Sequence, residues 1–116
     1  MRQTSSSGSA KATWLDREKA IEVLKGLAAE AGAAFPEIRE IRLFGSVAKG
    51  EQTGTSDIDI FIITESPEKN PIERMRPYYQ FFSERLDVAL DVMAAAPGEL
   101  ESFSEIIIGS ICLFWR

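Results

Sequence analysis

At 116 residues, with 45% apolar and 27% charged side chains, the chain is the size of one domain with a single core and no second lobe. It has no histidine and one cysteine, which excludes Ser-His and Cys-His nucleophiles, histidine-ligated zinc and an internal disulfide, so any catalysis must rest on carboxylates. A net charge of -5 argues against strong general binding to nucleic acid, leaving room only for a local basic patch.

The Ser-rich residues 1–12 read as a solvated N-terminal tail, with the folded domain expected over 13–116. No stretch resembles a secretory signal, and no window approaches the roughly 20 apolar residues of a membrane helix. The expectation is a soluble, cytoplasmic protein with no membrane partner. Thr13 is a plausible N-cap with Asp16 in the first turn, and Ile21, Leu24, Leu27 and Ala28 recur as one helical stripe. This predicts a first helix over about 14 to 31, stopped by Gly32, with Pro36 opposing continuation. Ile41 and Leu43 then alternate with Glu40 and Arg42 as a strand with one wet face.

That strand runs into Gly45-Ser46 and a short segment over 47–50, followed by turn residues from Gln52 to Ser56. A second strand begins at Asp57, with Ile58, Ile60 and Ile62 on a core face and Asp57, Asp59 and Phe61 on the other. Asn70 and Pro71 offer a helix opening, but Pro77 lacks an amide proton and disfavours helical geometry at Arg76, so the next helix is expected from about Pro77, with Tyr79, Phe82 and Leu86 as its stripe. The helical spacing of Tyr78, Tyr79, Phe81 and Phe82 favours core packing over base stacking. A strand over about Ala89 to Met93 and a helix opened by Pro97, carrying Leu100, Phe103 and Ile107, lead to Gly109. The last strand is Ile111 to Trp115, where Cys112 reads as an ordinary buried thiol. If that strand is an edge, Phe114 and Trp115 form a partner surface. The alternation predicts an α/β (α+β) domain, a short mixed sheet covered by helices.

Chemistry concentrates in two places. Period two puts the carboxylates of Asp57 and Asp59 on one strand face with alpha carbons about 6.6 Å apart. Two anions so close beside an apolar strand repel and lose hydration, and a hard divalent cation such as Mg²⁺ compensates them. Taken alone, an Asp-x-Asp pair is more often the solvated face of an edge strand. Gly45 and Ser46 end the preceding strand, and a helix beginning at Ser46 would turn its amide and hydroxyl toward a phosphate. Taken alone, Gly-Ser is a common turn dipeptide.

The combination is more specific. Leu43-Phe44-Gly45-Ser46-Val47-Ala48-Lys49-Gly50, followed by Ser56-Asp57-Ile58-Asp59-Ile60, resembles the signature of the DNA polymerase beta-like nucleotidyltransferase superfamily, and most closely its minimal nucleotidyltransferase, antitoxin-type branch. Lys49 stands where many relatives carry arginine, which keeps the charge and loses the fork geometry. The resemblance extends over about Trp14 to Trp115 and implies a third aspartate on a later strand. Asp91, between Leu90 and Val92, fits that place better than Asp87, which falls near a helix end.

The resemblance implies that Asp57, Asp59 and Asp91 hold magnesium, two ions, against the phosphates of ATP or another nucleoside triphosphate, with Gly45 and Ser46 on the terminal phosphates. It further implies transfer of a nucleoside monophosphate, AMP in some relatives, to a hydroxyl acceptor with loss of pyrophosphate. A chain this short has no domain for an acceptor, which implies a protein partner, such as a HEPN-type toxin. Competing readings are an antitoxin-like module that neutralises its partner by contact alone, and a small-molecule transferase of the aminoglycoside type. Base preference and oligomeric state are not fixed by the sequence. Arg42 and Lys49 are left as solvated charges rather than catalytic groups.

Overall fold

A computed structural model describes residues 16–50 and 57–116. The predicted tail over 1–12, the Thr13 cap and the turn residues Gln52 to Ser56 lie outside the described residues.

The first helix, α1 (Arg17–Ala34), opens on Asp16, whose side chain accepts from the Lys19 amide at 3.3 Å. It buries Ala20, Leu24, Ala28 and Ala31, with Ile21 and Leu27 on the flanks of that stripe. Gly32 does not stop it. A Cβ at Gly32 would stand 2.3 Å from Cζ of Phe114, so the glycine serves the close approach of a strand and the helix continues to Phe35. Pro36 then ends it, as expected.

Strand β1 (Ile38–Phe44) follows, then a five-residue helix α2 (Gly45–Lys49), then β2 (Ile58–Thr64). Helix α3 spans Pro71–Ser83 and begins six residues before the predicted start. Two features outweigh Pro77. The Asn70 side chain caps the Ile72 and Glu73 amides at 2.9 and 3.2 Å, with Pro71 suited to the first turn. Arg74, only 5% exposed, donates to the Glu68 and Ala94 carbonyls and to Glu99 Oε1 at 2.8, 3.2 and 2.9 Å. Glu73 and Pro77 are both exposed, so water can take the carbonyl that the proline leaves without a donor. The stripe of α3 is correspondingly shifted: Tyr78, Phe81 and Phe82 are buried, whereas Tyr79 is 40% exposed.

Strand β3 (Leu90–Ala95), a 3-10 turn (Pro97–Phe103), helix α4 (Ser104–Ile108) and β4 (Ile111–Trp115) complete the chain. The sheet runs β3-β2-β1-β4, with β1 antiparallel to both β2 and β4 and β2 parallel to β3. This is the mixed sheet with helical cover that the sequence predicts. Ile41, Leu43, Ile58, Ile60, Ile62 and Val92 pack on one face beneath α1 and α3. Phe61, Ile63 and Ala95 pack on the other, under Leu100, Phe103, Ile106 and Ile107. Glu99 ties that second cover down through the Ala96 amide and Arg74, contacts that hold its carboxyl below the usual carboxylate range.

The last strand is an edge, as the surface reading of Phe114 and Trp115 requires. Trp115 is 73% exposed, while Phe114 turns inward to meet Gly32. Cys112 is half-buried rather than fully enclosed.

Candidate active site

Backbone register positions the candidate carboxylates. Phe44 of β1 pairs with Asp59 of β2, and Asp59 in turn pairs with Asp91 of β3. Directly paired residues share a sheet face, and adjacent strands lie about 4.8 Å apart, so Asp59 and Asp91 stand side by side. The face is that of Phe61 and Met93, opposite the α1 and α3 cover. Asp57 lies just before β2, one pleat period from Asp59. Asp57 and Asp91 are exposed and Asp59 is half-buried.

Burial raises the Asp59 carboxyl above its ordinary value, and the charges of Asp91 and then Asp57 push in the same direction. Asp91 and Asp57 thus both lie close enough for their charges to act on Asp59. Among the described residues they do not close into a compact set of three metal ligands. A partly desolvated, all-oxygen, net-negative group of this kind is nevertheless the donor chemistry of a hard divalent cation, and the residues fit magnesium in that respect.

Gly45 sits at φ +79, and a Cβ there would fall 2.0 Å from Asp59 Oδ2. The absence of a side chain thus lets the β1–α2 turn lie directly on the carboxylate. Ser46 follows, half-buried, in the first turn of α2, whose Val47 and Ala48 are buried in the main core. Gly50, at φ +77, ends α2 with its amide on the carbonyls of Ser46 and Val47. A cavity of about 250 Å³ opens between α2 and α4, lined by Phe44, Gly45, Lys49, Glu105, Ile106 and Gly109.

All five residues singled out from the sequence, Gly45, Ser46, Asp57, Asp59 and Asp91, come to one end of the sheet. Arg42 is engaged elsewhere: its Nε donates to Ser110 Oγ at 2.5 Å and its Nη1 pairs with Glu40. Asp87 is exposed beyond the end of α3 and before β3, outside the strand register that aligns Asp59 with Asp91. Two contributors were missed in the sequence. Glu105 faces the cavity from a segment 60 residues beyond Gly45, and Arg17 holds the far end of α2 through Val47 and Ala48. Neither carries a local motif, since both act on a partner distant in the chain.

Comparison with known proteins agrees with this fold. A search of curated proteins gives no significant match. A crystal structure of a protein from Sulfolobus solfataricus, assigned as a nucleotidyltransferase, superposes with a TM-score of 0.63 at 24% identity, covering 100% of this chain and 93% of that one. A toxin-antitoxin structure with AMP-PNP superposes with a TM-score of 0.61 at 22% identity, covering 79% of this chain and 73% of that one. At these identities the likeness is one of fold. The family model described as "Nucleotidyltransferase domain" matches residues 22–108, a span that contains the Gly45-Ser46 turn and all three aspartates, and the chain belongs to that family.

Proposed function

We propose that this chain transfers a nucleoside monophosphate, AMP from ATP, to a hydroxyl group on a partner protein and releases pyrophosphate. The observation that carries this reading is the register that sets Asp59 beside Asp91 with Gly45 directly against the Asp59 carboxylate. Magnesium, as two ions shared among Asp57, Asp59 and Asp91, would offset the triphosphate charge and the charge that develops as pyrophosphate departs. Gly45 and Ser46 bind the terminal phosphates through backbone amide and hydroxyl donors. The cavity beside Phe44 and Ile106 takes the nucleoside.

Asp91 lies on β3, the edge strand at the opposite side of the sheet from β4, a side from which an acceptor can approach. It receives the proton of the acceptor hydroxyl as that oxygen bonds to the α-phosphorus. The bond from the α-phosphorus to the bridging oxygen breaks in line, and the electron pair leaves with pyrophosphate. The toxin-antitoxin neighbour supports a protein acceptor, and a HEPN-type toxin is the class that the motif resemblance implies.

A second reading, a module that neutralises its partner by contact alone, is favoured by the exposure of Trp115 (73%) and Ile108 (84%). The two separate in one experiment with α-labelled ATP, Mg²⁺ and co-purifying protein, beside an Asp59→Asn control. Label that appears on the partner and vanishes in the control supports transfer. Tight, unlabelled binding that survives the substitution supports contact alone.

A further inference from the structure

Helix α2 carries Gly45 and Ser46, yet five residues are too few to remain helical on their own in water. Its N-cap, Phe44, makes no capping hydrogen bond from its side chain. The other end is held from outside. Arg17, in the first turn of α1, donates from Nε to the Val47 carbonyl at 2.9 Å and from Nη2 to the Ala48 carbonyl at 2.7 Å. These are carbonyls of the final turn; that of Val47 also accepts from the Gly50 amide at 3.2 Å, so Arg17 adds a second donor there. The side chain is half-buried, and its Cδ passes 3.8 Å from where Gly50 would carry a Cβ. Two N–H groups of one rigid guanidinium therefore grip two successive carbonyls, a geometry a lysine ammonium cannot reproduce.

We infer that Arg17 is a positioning residue: by tying Val47 and Ala48 to α1, it fixes where Gly45 and Ser46 stand against Asp59, and so sets affinity for the terminal phosphates of a nucleoside triphosphate. The clamp is a matter of geometry, whereas its consequence for phosphates rests on the function proposed above. Val47 and Ala48 keep their buried contacts without Arg17, so its loss loosens α2 and leaves the fold in place.

The test uses the full chain with Arg17→Ala and Arg17→Lys. Amide hydrogen exchange is followed at residues 45–49, and equilibrium binding is measured for Mg²⁺-ATP and for AMP, which lacks the terminal phosphates. In Arg17→Ala, exchange at 45–49 accelerates while β1 and β2 keep their protection, and ATP affinity falls on the order of tenfold with AMP affinity unchanged. Arg17→Lys falls between, because a flexible ammonium lacks the fixed fork that matches two successive carbonyls. Unchanged exchange at 45–49 overturns the clamp, and an equal loss of ATP and AMP affinity overturns its role toward the terminal phosphates. If Arg17→Ala does not fold, Arg17→Lys decides: wild-type ATP affinity overturns the inference. A wild-type chain that binds no triphosphate overturns the proposed function and the phosphate role together, while the exchange data still judge the clamp.

Discussion

Gly45 and Gly50 have nearly the same backbone, φ +79 and +77, and different surroundings. Alanine at either position pays the left-handed penalty of about 1–2 kcal/mol. At Gly50 the added methyl meets, among the described residues, only Arg17, at 3.8 Å, an ordinary van der Waals contact. At Gly45 it would fall 2.0 Å from Asp59 Oδ2 and 2.9 Å from its carboxyl carbon, so the aspartate or the turn must move. Overpacking of this kind adds about 1–3 kcal/mol. Urea denaturation should therefore show Gly45→Ala less stable than Gly50→Ala by that increment. Removing the carboxylate relieves the clash, because the Asp59 Cβ lies at the more tolerable 3.3 Å. In an Asp59→Ala background the excess cost of Gly45→Ala should shrink toward the backbone penalty alone. A double-mutant cycle with no coupling between the two sites would refute the argued contact.

Two further outcomes follow from the same physics. Gly26 and Gly32 lie in the same helix, and a Cβ at Gly26 meets nothing within 4 Å among the described residues, so Gly26→Ala should stabilise by about 1 kcal/mol. Gly32→Ala should destabilise by about 1–3 kcal/mol despite the same propensity gain, because the Phe114 ring must shift; equal effects in denaturant titration would contradict the packing. For Asp59, a folded-state pKa above the ordinary 3.8 means that the native chain keeps a proton the unfolded chain releases. Its contribution therefore disfavours folding as pH rises from below 3.8 through the raised value. In chelator, Asp59→Asn should be more stable than wild type at pH 7 and lose that part of the pH dependence, while Mg²⁺ should raise the melting temperature of wild type more than of the variant. Identical melting curves in both conditions would count against the electrostatic reading.

Much of this was legible in the sequence because it depends on short-range periodicity. The isoleucine alternation fixes the inner face of β2, and with it the direction of Asp59; Leu90 and Val92 do the same for Asp91. What failed was local propensity against tertiary contact. Gly32 looks like a helix stop until Phe114 is placed against it, and Pro77 looks like a helix boundary until Asn70 and Arg74 secure the turn before it. Tyr78 rather than Tyr79 is buried for the same reason, since an earlier helix start and its anchors set the rotation of α3. Arg17 and Glu105 were invisible because their significance lies in groups some 30 or 60 residues distant.

The parallel pairing of β2 with β3 has a consequence for folding. Asp59 and Asp91 become neighbours only after the chain has crossed over through α3, so no early, locally formed fragment contains the assembled pair. On the function proposed above, magnesium nucleotide should then recognise the finished domain and ignore its precursors, which would make ligand occupancy a thermodynamic signal that the crossover has closed.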